Sequence, residues 1–319
     1  MFIRKIVLSI LLFSSLSFSA DFPVTLYDDV GLSATILKAP KRIISMAPSN
    51  TEILFALGLG GRVVGVSSFC DFPAAAKKKE KVGDFMSPNI EKILLLKPDL
   101  VLAGGGIQKD LAIKLSAMGI PTLTLYPKNI NEVLMDVVLV GRAAGKETEA
   151  LLYIEKLKAR IEKVKSEAGR INKKPRVYFE IWSQPFTTAG KGSFVEELIT
   201  LAGGVNIFAE TEKTFPEISG EEIIKRDPEI IITAYMEKKG KMKKEVLKRS
   251  GWGCINAVKE ERVYDGIDSD ILLRSGPRLV DGLEALSGIF LQEKKNVQLQ
   301  KGFRFCRKKL KAGAIFLFR

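Results

Sequence analysis

Two glutamates with the same surroundings stand 130 residues apart in the chain. Glu91 lies in the stretch NIEKILLLKPDLVLA and Glu221 in SGEEIIKRDPEIIIT, and each follows a phenylalanine, Phe85 or Phe215, by six residues. An acid in the first turn of a helix complements the helix dipole. That effect does not account for equal placement in both stretches. Two equivalent carboxylates instead suit a partner that is itself two-fold symmetric.

Asp270 and Arg274 form a second pair whose spacing has chemical meaning. They stand four residues apart near the start of the last predicted helix, so their side chains lie on one helix face. One interpretation is a solvated ion pair worth less than about 1 kcal/mol. The other is a pair of polar groups at the rim of a ligand cleft.

Five phenylalanines lie in predicted loops that follow strands or precede helices: Phe69, Phe72, Phe85, Phe186 and Phe215. In open α/β sheets, ligands bind outside the carboxyl ends of the strands. Each phenylalanine taken singly could equally be a core residue. Taken together, in corresponding loops of two halves of the chain, they predict an apolar cleft.

The chain lacks the residue that serves most often as a catalytic base, and its cysteines lack the spacing of zinc ligands. The chain has no histidine, which removes the usual general base and any Ser-His-Asp arrangement. Cys70, Cys254 and Cys306 form no CxxC pair for zinc; they allow one disulfide plus a free thiol, or three idle thiols. We therefore predict a binding protein with no catalytic residue, no metal site and no bound cofactor. A secreted α/β enzyme is the alternative from another class.

The elements that must position these residues alternate along the chain. The stretch Phe22–Ile36 reads as a hairpin. Short apolar runs that read as strands then alternate with helical stretches of about ten to fifteen residues, which predicts parallel sheets with helical crossovers. The first such helix, in SNTEILFALG, is expected to be capped by Ser49 or Asn50 and closed by Gly58.

The pattern restarts in the second half of the chain. PRVYFEI matches KRIISMA, FVEELITLAGG matches NTEILFALGLG, and Glu197 falls on Glu52. Between the two copies, apolar residues recur at helical spacing with no Gly or Pro from Lys146 to Ala168. We predict two Rossmann-like α/β lobes with mainly parallel sheets, at 21–140 and 173–291, joined by one long helix at 141–172.

The net charge of +13 does not indicate a nucleic-acid partner. Without residues 1–20 and 292–319, the chain has 39 basic and 36 acidic residues, which leaves no basic stripe for a phosphate backbone. Residues 1–20 have a basic start and a short apolar run, typical of a cleavable signal peptide; a buried helix is the alternative. Residues 292–319 form a basic tail of unknown role, either a membrane-surface contact or a disordered end.

Several quoted stretches together resemble the periplasmic substrate-binding proteins of cobalamin and iron-chelate ABC importers. They are KRIISMAPSNTEILFALGLGGRVVGVSSFCDFP, NIEKILLLKPDLVLA, QPFTTAGKGSF, GGVNIF, FPEISGEEIIKRDPEIII and RSGPRLVDGLEAL. The resemblance covers roughly residues 22–290 and is strongest to the cobalamin-binding members. It implies two lobes bridged by a rigid helix, with the ligand held between them.

The resemblance also implies roles for single residues. Glu91 and Glu221 match the glutamates that dock to a dimeric membrane permease, and Phe186, Asp270 and Arg274 match ligand contacts in type. At the positions of Phe69, Phe85 and Phe215, cobalamin binders have Trp or Tyr. Haem-binding relatives use Tyr or His as axial ligand, so only a tyrosine such as Tyr126 or Tyr178 is available here.

The sequence therefore predicts a monomeric periplasmic carrier for vitamin uptake, not an enzyme. It would capture a cobalamin-like corrinoid between its lobes and deliver it to an ABC permease. The alternative keeps the fold and replaces the ligand with a ferric siderophore or haem. Anionic iron chelates usually call for several Arg or Lys in the cleft, and only Arg274 is expected there.

Overall fold

The structure is a computed structural model that describes residues 22–235 and 240–293. The predicted signal peptide, and the predicted tail from residue 294 onward, lie outside the described residues. Within them, no helix is long and apolar enough to cross a membrane.

The N-terminal lobe begins with the predicted hairpin, whose strands pair antiparallel. Five further strands then form a parallel sheet in the order β5-β4-β3-β6-β7. The strands are β1 (Val24–Tyr27), β2 (Ser33–Ile36), β3 (Ile43–Ser45), β4 (Val63–Val66), β5 (Glu80–Lys81), β6 (Leu100–Gly104) and β7 (Thr122–Leu125). The helices are α1 (Pro48–Ala56), α2 (Ile90–Leu95) and α3 (Lys109–Ala117).

Two helices connect the lobes: α4 (Ile130–Ala144) and α5 (Glu147–Ala168). The predicted linking segment, 141–172, therefore starts inside α4, and the long helix itself begins at Glu147. The break falls at Gly145, whose φ of +68° is left-handed and ends α4. A β-carbon added to Gly141 would lie 2.5 Å from the β-carbon of Ala150, so this glycine lets the two helices pack closely.

The C-terminal lobe contains a mixed sheet in which β8 is central. It pairs parallel with β12 and β10 and antiparallel with β9. The strands are β8 (Arg176–Ser183), β9 (Phe186–Thr188), β10 (Val205–Asn206), β11 (Glu217–Ile218), β12 (Ile230–Thr233) and β13 (Val263–Tyr264). The helices are α6 (Phe194–Leu201), α7 (Gly220–Arg226), α8 (Met242–Leu247), α9 (Asn256–Lys259), α10 (Asp270–Leu273) and α11 (279–293).

This architecture confirms the predicted fold class: two α/β lobes with mainly parallel sheets, joined by a long helix. The repeat is visible in equivalent hydrogen bonds. Arg42, before β3, donates from Nε and Nη2 to the carbonyl of Leu96 at 2.9 and 2.7 Å. Arg176, at the start of β8, donates from Nη2 to the carbonyl of Arg226. In each lobe, an arginine beside the first strand thus binds the carboxyl end of the helix that carries the repeated glutamate.

An acid just after that helix completes the repeat. Asp99 accepts from the backbone N–H groups of Lys41 and Arg42, both at 2.8 Å. Glu229, 130 residues later, accepts from the N–H of Arg176 at 3.1 Å. The same two stretches of sequence therefore build the same local structure.

The predicted cap of α1 is wrong. The helix starts at Pro48, its N-cap is Ala47, and no side chain caps it. Proline fits a first helical turn because its fixed φ suits the helix and its missing N–H needs no partner there. Asn50 is buried and donates instead to the carbonyls of Leu102 and Ala103 at the end of β6, at 3.2 and 2.8 Å. Its side chain is thus used for tertiary structure.

One large hydrophobic core runs through both lobes. It includes residues of the hairpin, both sheets, the linking helix and α11, for example Leu26, Leu102, Ile161, Ile232 and Leu283. Two smaller clusters fill the remaining sides of the sheets. The lobes therefore share buried apolar surface.

Candidate functional site

The loops after strands β4 and β5 carry three of the predicted phenylalanines. Phe69 and Phe72 follow β4 and have 59% and 44% of their surface exposed. Phe85 follows β5 and is half-buried. Its ring covers the end of β6, where a β-carbon on Gly104 would come within 3.0 Å of it. These side chains thus lie at the carboxyl edge of the N-terminal sheet, where α/β sheets bind ligands.

The two phenylalanines of the C-terminal lobe differ from each other. Phe215 is 51% exposed, in the loop before β11. Phe186 is the first residue of β9 and does not lie in a loop as predicted. It is half-buried, with its ring centroid 5.5 Å from that of Trp252 and 5.0 Å from the Arg249 guanidinium. Phe186 therefore packs partly against its own lobe, whereas Phe215 is available to a ligand.

Glu91 and Glu221 occupy equivalent places. Each is the second residue of its helix, α2 or α7, and each is exposed. The helices are capped alike: Asn89 Oδ1 accepts from the N–H of Lys92 at 2.9 Å, and Ser219 Oγ accepts from the N–H three residues ahead at 3.2 Å. The two helix starts are therefore capped by equivalent side-chain oxygens. Hydrogen bonds from its own N–H and from Ser219 lower the pKa of Glu221, so it is ionised at neutral pH.

A groove of about 480 Å³ adjoins Glu221 in the C-terminal lobe. Phe186 and Trp252 supply apolar surface, and Glu245 supplies a second acid near Glu221. At its side, Arg249 donates to both carboxylate oxygens of the fully buried Glu180 at 2.6 and 2.7 Å. The arginine is thus held in place by a buried partner.

Asp270 and Arg274 form the expected ion pair, 2.9 Å apart. The interpretation of a solvated pair is wrong, because only 21% and 16% of the two side chains are exposed. Arg274 also donates to Asp71 Oδ1 at 2.6 Å, across 203 residues of sequence. Burial acts to raise the pKa of Asp71, but the hydrogen bond and charge of Arg274 outweigh it and hold that pKa below its usual value. Asp71 is therefore ionised.

Glu52 and Arg278 make a second contact between the lobes. Arg278 Nη1 lies 3.3 Å from Oε1 of Glu52, and its guanidinium lies 3.8 Å from the ring centroid of Phe72. Glu52 is only 3% exposed, and its Oε2 has no hydrogen-bond partner. Burial raises the pKa of Glu52 to about 7, although Arg278 and Arg274 act to lower it.

We call these five residues, Glu52, Asp71, Asp270, Arg274 and Arg278, the junction cluster. It joins α1 and the β4 loop of the N-terminal lobe to the segment between β13 and α11. It holds two cations against three acids, so it carries no surplus positive charge. This matters for ligand choice, because a free guanidinium is what recognises a carboxylate.

Three members of this cluster, Glu52, Asp71 and Arg278, were not predicted from the sequence. Asp71 had a signal, since it stands between Phe69 and Phe72 in one loop. Arg278 follows Arg274 by four residues, but both lie in the turn between α10 and α11, so helical spacing does not relate them. For Glu52, the only signal in the sequence was that it matches Glu197 in the repeat.

Aromatic side chains outside the predicted set also lie at strand ends. Trp182, near the end of β8, is 54% exposed, and Tyr126, just after β7, is 44% exposed. Tyr178 is fully buried in the core, with its pKa raised well above normal by burial. The suggestion that Tyr178 could be an axial haem ligand is therefore wrong. Tyr126 is exposed, with the Lys128 ammonium 2.7 Å from its ring centroid.

Within residues 22–235 and 240–293, no group of three or more acidic or sulfur side chains could hold a metal ion. Cys70 is a buried free thiol and Cys254 an exposed one. Cys306 lies outside the described residues.

Comparison with known proteins gives three informative relatives. The chain is 39% identical over 273 residues to an uncharacterised ABC transporter substrate-binding lipoprotein of Bacillus subtilis, covering 83% of this chain and 85% of the relative. It is 34% identical over 199 residues to the vitamin B12-binding protein of Yersinia pestis, covering 62% of this chain and 70% of the relative.

The third relative is a solved structure, described as a possible iron-binding, periplasmic solute-binding protein of Staphylococcus epidermidis. It is 33% identical, with a TM-score of 0.70 over 79% of this chain and 99% of the other. The family model for periplasmic binding proteins matches residues 43–269, from the first strand of the N-terminal sheet to the junction with the last helices. The chain therefore belongs to the periplasmic binding protein family.

Proposed function

We propose that the chain is the substrate-binding protein of an ABC importer, that it works in the periplasm, and that its ligand is a cobalamin-like corrinoid. The observation that carries this proposal is the set of exposed aromatic rings on loops at the strand ends of two lobes. Phe69, Phe72 and Phe215 are between 44% and 59% exposed. Exposed aromatic surface of this kind suits a large, flat and mostly apolar ligand face.

The charge of the junction cluster favours a corrinoid over an anionic iron chelate. Arg274 is already bound to Asp71 and Asp270, and Arg278 contacts Glu52. An uncharged amide can bind beside such a cluster, since amides need only single hydrogen bonds. A carboxylate would have to compete with acids already in place. The Yersinia relative, named for vitamin B12, supports the same choice.

The second candidate ligand is an iron chelate, either a ferric siderophore or haem. It is favoured by the Staphylococcus structure, which is named a possible iron-binding protein. A calorimetric titration of the purified chain with cyanocobalamin, haem and a ferric hydroxamate separates the candidates. We expect saturable one-to-one binding of cyanocobalamin. Binding of only an iron chelate would keep the carrier function and reject the corrinoid.

Delivery to a dimeric permease is proposed for Glu91 and Glu221. Their equal placement and exposure suit two equivalent arginines on a symmetric partner. Uptake of labelled cyanocobalamin should be lost in cells whose only carrier has Glu91→Ala and Glu221→Ala, while the affinity of the purified variant is unchanged. The matched control changes two other exposed acids, Glu155→Ala and Glu212→Ala. If the first variant loses ligand binding, or the control loses uptake, the docking role is wrong.

A further inference from the structure

The β4 loop carries a single carboxylate between two exposed phenylalanines, and that carboxylate reaches the opposite lobe. Asp71 stands between Phe69 and Phe72 and accepts from Arg274 Nη1 at 2.6 Å. Its side chain is 45% exposed, whereas that of Arg274 is 16% exposed. A ligand that reaches these rings therefore meets Asp71 before it meets the guanidinium.

The loop holds Asp71 in a fixed place. The N–H of Cys70 donates to the carbonyl of Ser67 at 3.1 Å, and Lys81 Nζ donates to the carbonyl of Cys70 at 3.1 Å. The Phe72 ring stacks on Arg278 of the opposite lobe. The loop thus holds the Asp71 carboxylate in the position from which it accepts from Arg274.

Arg274 is held from its other side as well. Asp270, one turn earlier, lies 2.9 Å from Nη2, and Glu52 lies 3.8 Å from Nη1. A ligand carboxylate placed here would face Asp71 and Asp270 as well as two guanidinium groups, of which the nearest is already bound. Like charges at this distance disfavour an additional anion.

We propose that Asp71 is a specificity-determining residue that excludes ligands with peripheral carboxylates by occupying Arg274 from within the chain. The ligand class that passes is uncharged at this edge, as in the amide-bearing rim of a corrinoid. The excluded class includes haem, whose two propionates are carboxylates. This inference rests on the proposed function, because it concerns the same ligand cleft.

The test compares haem with cyanocobalamin in full-length wild type, Asp71→Asn and the control Asp110→Asn. The control removes one exposed acid, in the first turn of α3. In Asp71→Asn we expect the ratio of the haem affinity to the cyanocobalamin affinity to rise about tenfold or more. The control should leave this ratio unchanged. Unfolding by urea, with Asp71→Ser as a second variant, verifies that the proteins are folded.

The outcomes separate this inference from the proposed function. If the wild type binds cyanocobalamin and Asp71→Asn gains no haem affinity, Asp71 is not a filter and the corrinoid carrier stands. If the wild type prefers haem, the corrinoid is wrong and Asp71 does not exclude haem, even if Asp71→Asn binds haem still more tightly. An equal gain in the control would overturn the filter.

If the wild type binds neither ligand, inorganic phosphate serves as the probe. Asp71→Asn should then bind phosphate at least tenfold more tightly than wild type, and the double variant Asp71→Asn, Arg274→Gln should lose that gain. Equal phosphate binding in all three proteins would overturn the inference.

Discussion

The two lobes contain equivalent strands, and one matched position is occupied by an apolar side chain in one lobe and by a charged side chain in the other. When KRIISMA is aligned with PRVYFEI, Met46 matches Glu180, and both side chains are fully buried. Met46 belongs to an apolar cluster with Ile44 and Val101. Glu180 is bound by Arg249 and by the hydroxyl of a neighbouring tyrosine. The same backbone position thus accepts a thioether or a charge, provided that the charge has its partner.

A second comparison concerns the matched glutamates of α1 and α6. Glu52 reaches the segment after the last strand of the other lobe and finds the guanidinium of Arg278 at 3.3 Å. Glu197 reaches the segment after β7 and accepts from the N–H of Ile130, at the start of α4, at 2.9 Å. The equivalent acid of each lobe therefore binds a segment outside that lobe. Glu52 does so through an ion pair with Arg278, and Glu197 through the N–H at the start of α4.

The largest effect is expected from the first comparison. Arg249→Ala leaves the buried Glu180 without its cation, and we expect the free energy of unfolding to fall by about 3–5 kcal/mol. The double variant Glu180→Met, Arg249→Leu gives this position the residue of the N-terminal lobe and should recover most of that loss. Urea denaturation measures both. A double variant as unstable as the single one would show that the two positions are not equivalent.

The second comparison predicts that removing Glu52 destabilises the protein more than removing Glu197 does. Glu52→Ala removes the buried acid facing Arg278 and should cost about 2–3 kcal/mol of unfolding free energy. Glu197→Ala removes one acceptor at a helix start and should cost about 1 kcal/mol. Both are measured by urea denaturation at one pH. Equal losses would mean that the ion pair stabilises no more than the helix contact.

Smaller than the loss expected for Glu52→Ala is a pH dependence of stability that comes from Glu52. Because the folded-state pKa of Glu52, about 7, lies above its unfolded value of about 4.3, the folded state holds this proton more tightly. Its contribution to stability is complete below pH about 4 and is lost as the pH rises through 7. Between pH 6 and 8, wild type should lose about 1.4 kcal/mol that Glu52→Gln does not lose.

The comparison with Glu52→Gln is needed because another group titrates in the same direction. Burial, aided by the nearby Asp29, raises the pKa of Asp136 to about 9. Asp136 is present in both proteins, so its contribution cancels in the difference. If the two stability curves run parallel from pH 6 to 8, Glu52 does not titrate in that range.

Most of the fold could be predicted because its signals lie in short stretches of sequence and occur in both halves of the chain. Buried strands appear as short apolar runs, and helix ends are marked by Asn89, Ser219 and the glycines that close helices. The sequence predicts a loop at Phe186 because β9 has only three residues and no alternating pattern. The predicted cap of α1 is wrong because Asn50 donates to the carbonyl of Leu102, in a strand 52 residues away. Rules that predict helix caps from neighbouring residues fail where the side chain binds a distant part of the chain.

The candidate site was predictable only in part. Exposed phenylalanines and repeated glutamates are properties of short stretches, so the sequence identifies them. The junction cluster depends on contacts across 203 and 226 residues, between Arg274 and Asp71 and between Arg278 and Glu52. No spacing rule of a helix or strand connects such positions. Their pairing follows from how two whole lobes meet.

The shared hydrophobic core has a consequence for how this protein folds and unfolds. Each lobe contributes side chains to one continuous apolar interior, which also includes the linking helix and α11. A gene fragment for a single lobe would therefore leave half of that interior open to water. Although the sequence is written as a duplication, we expect the two described lobes to fold as one unit, so that heating melts both copies in one cooperative step.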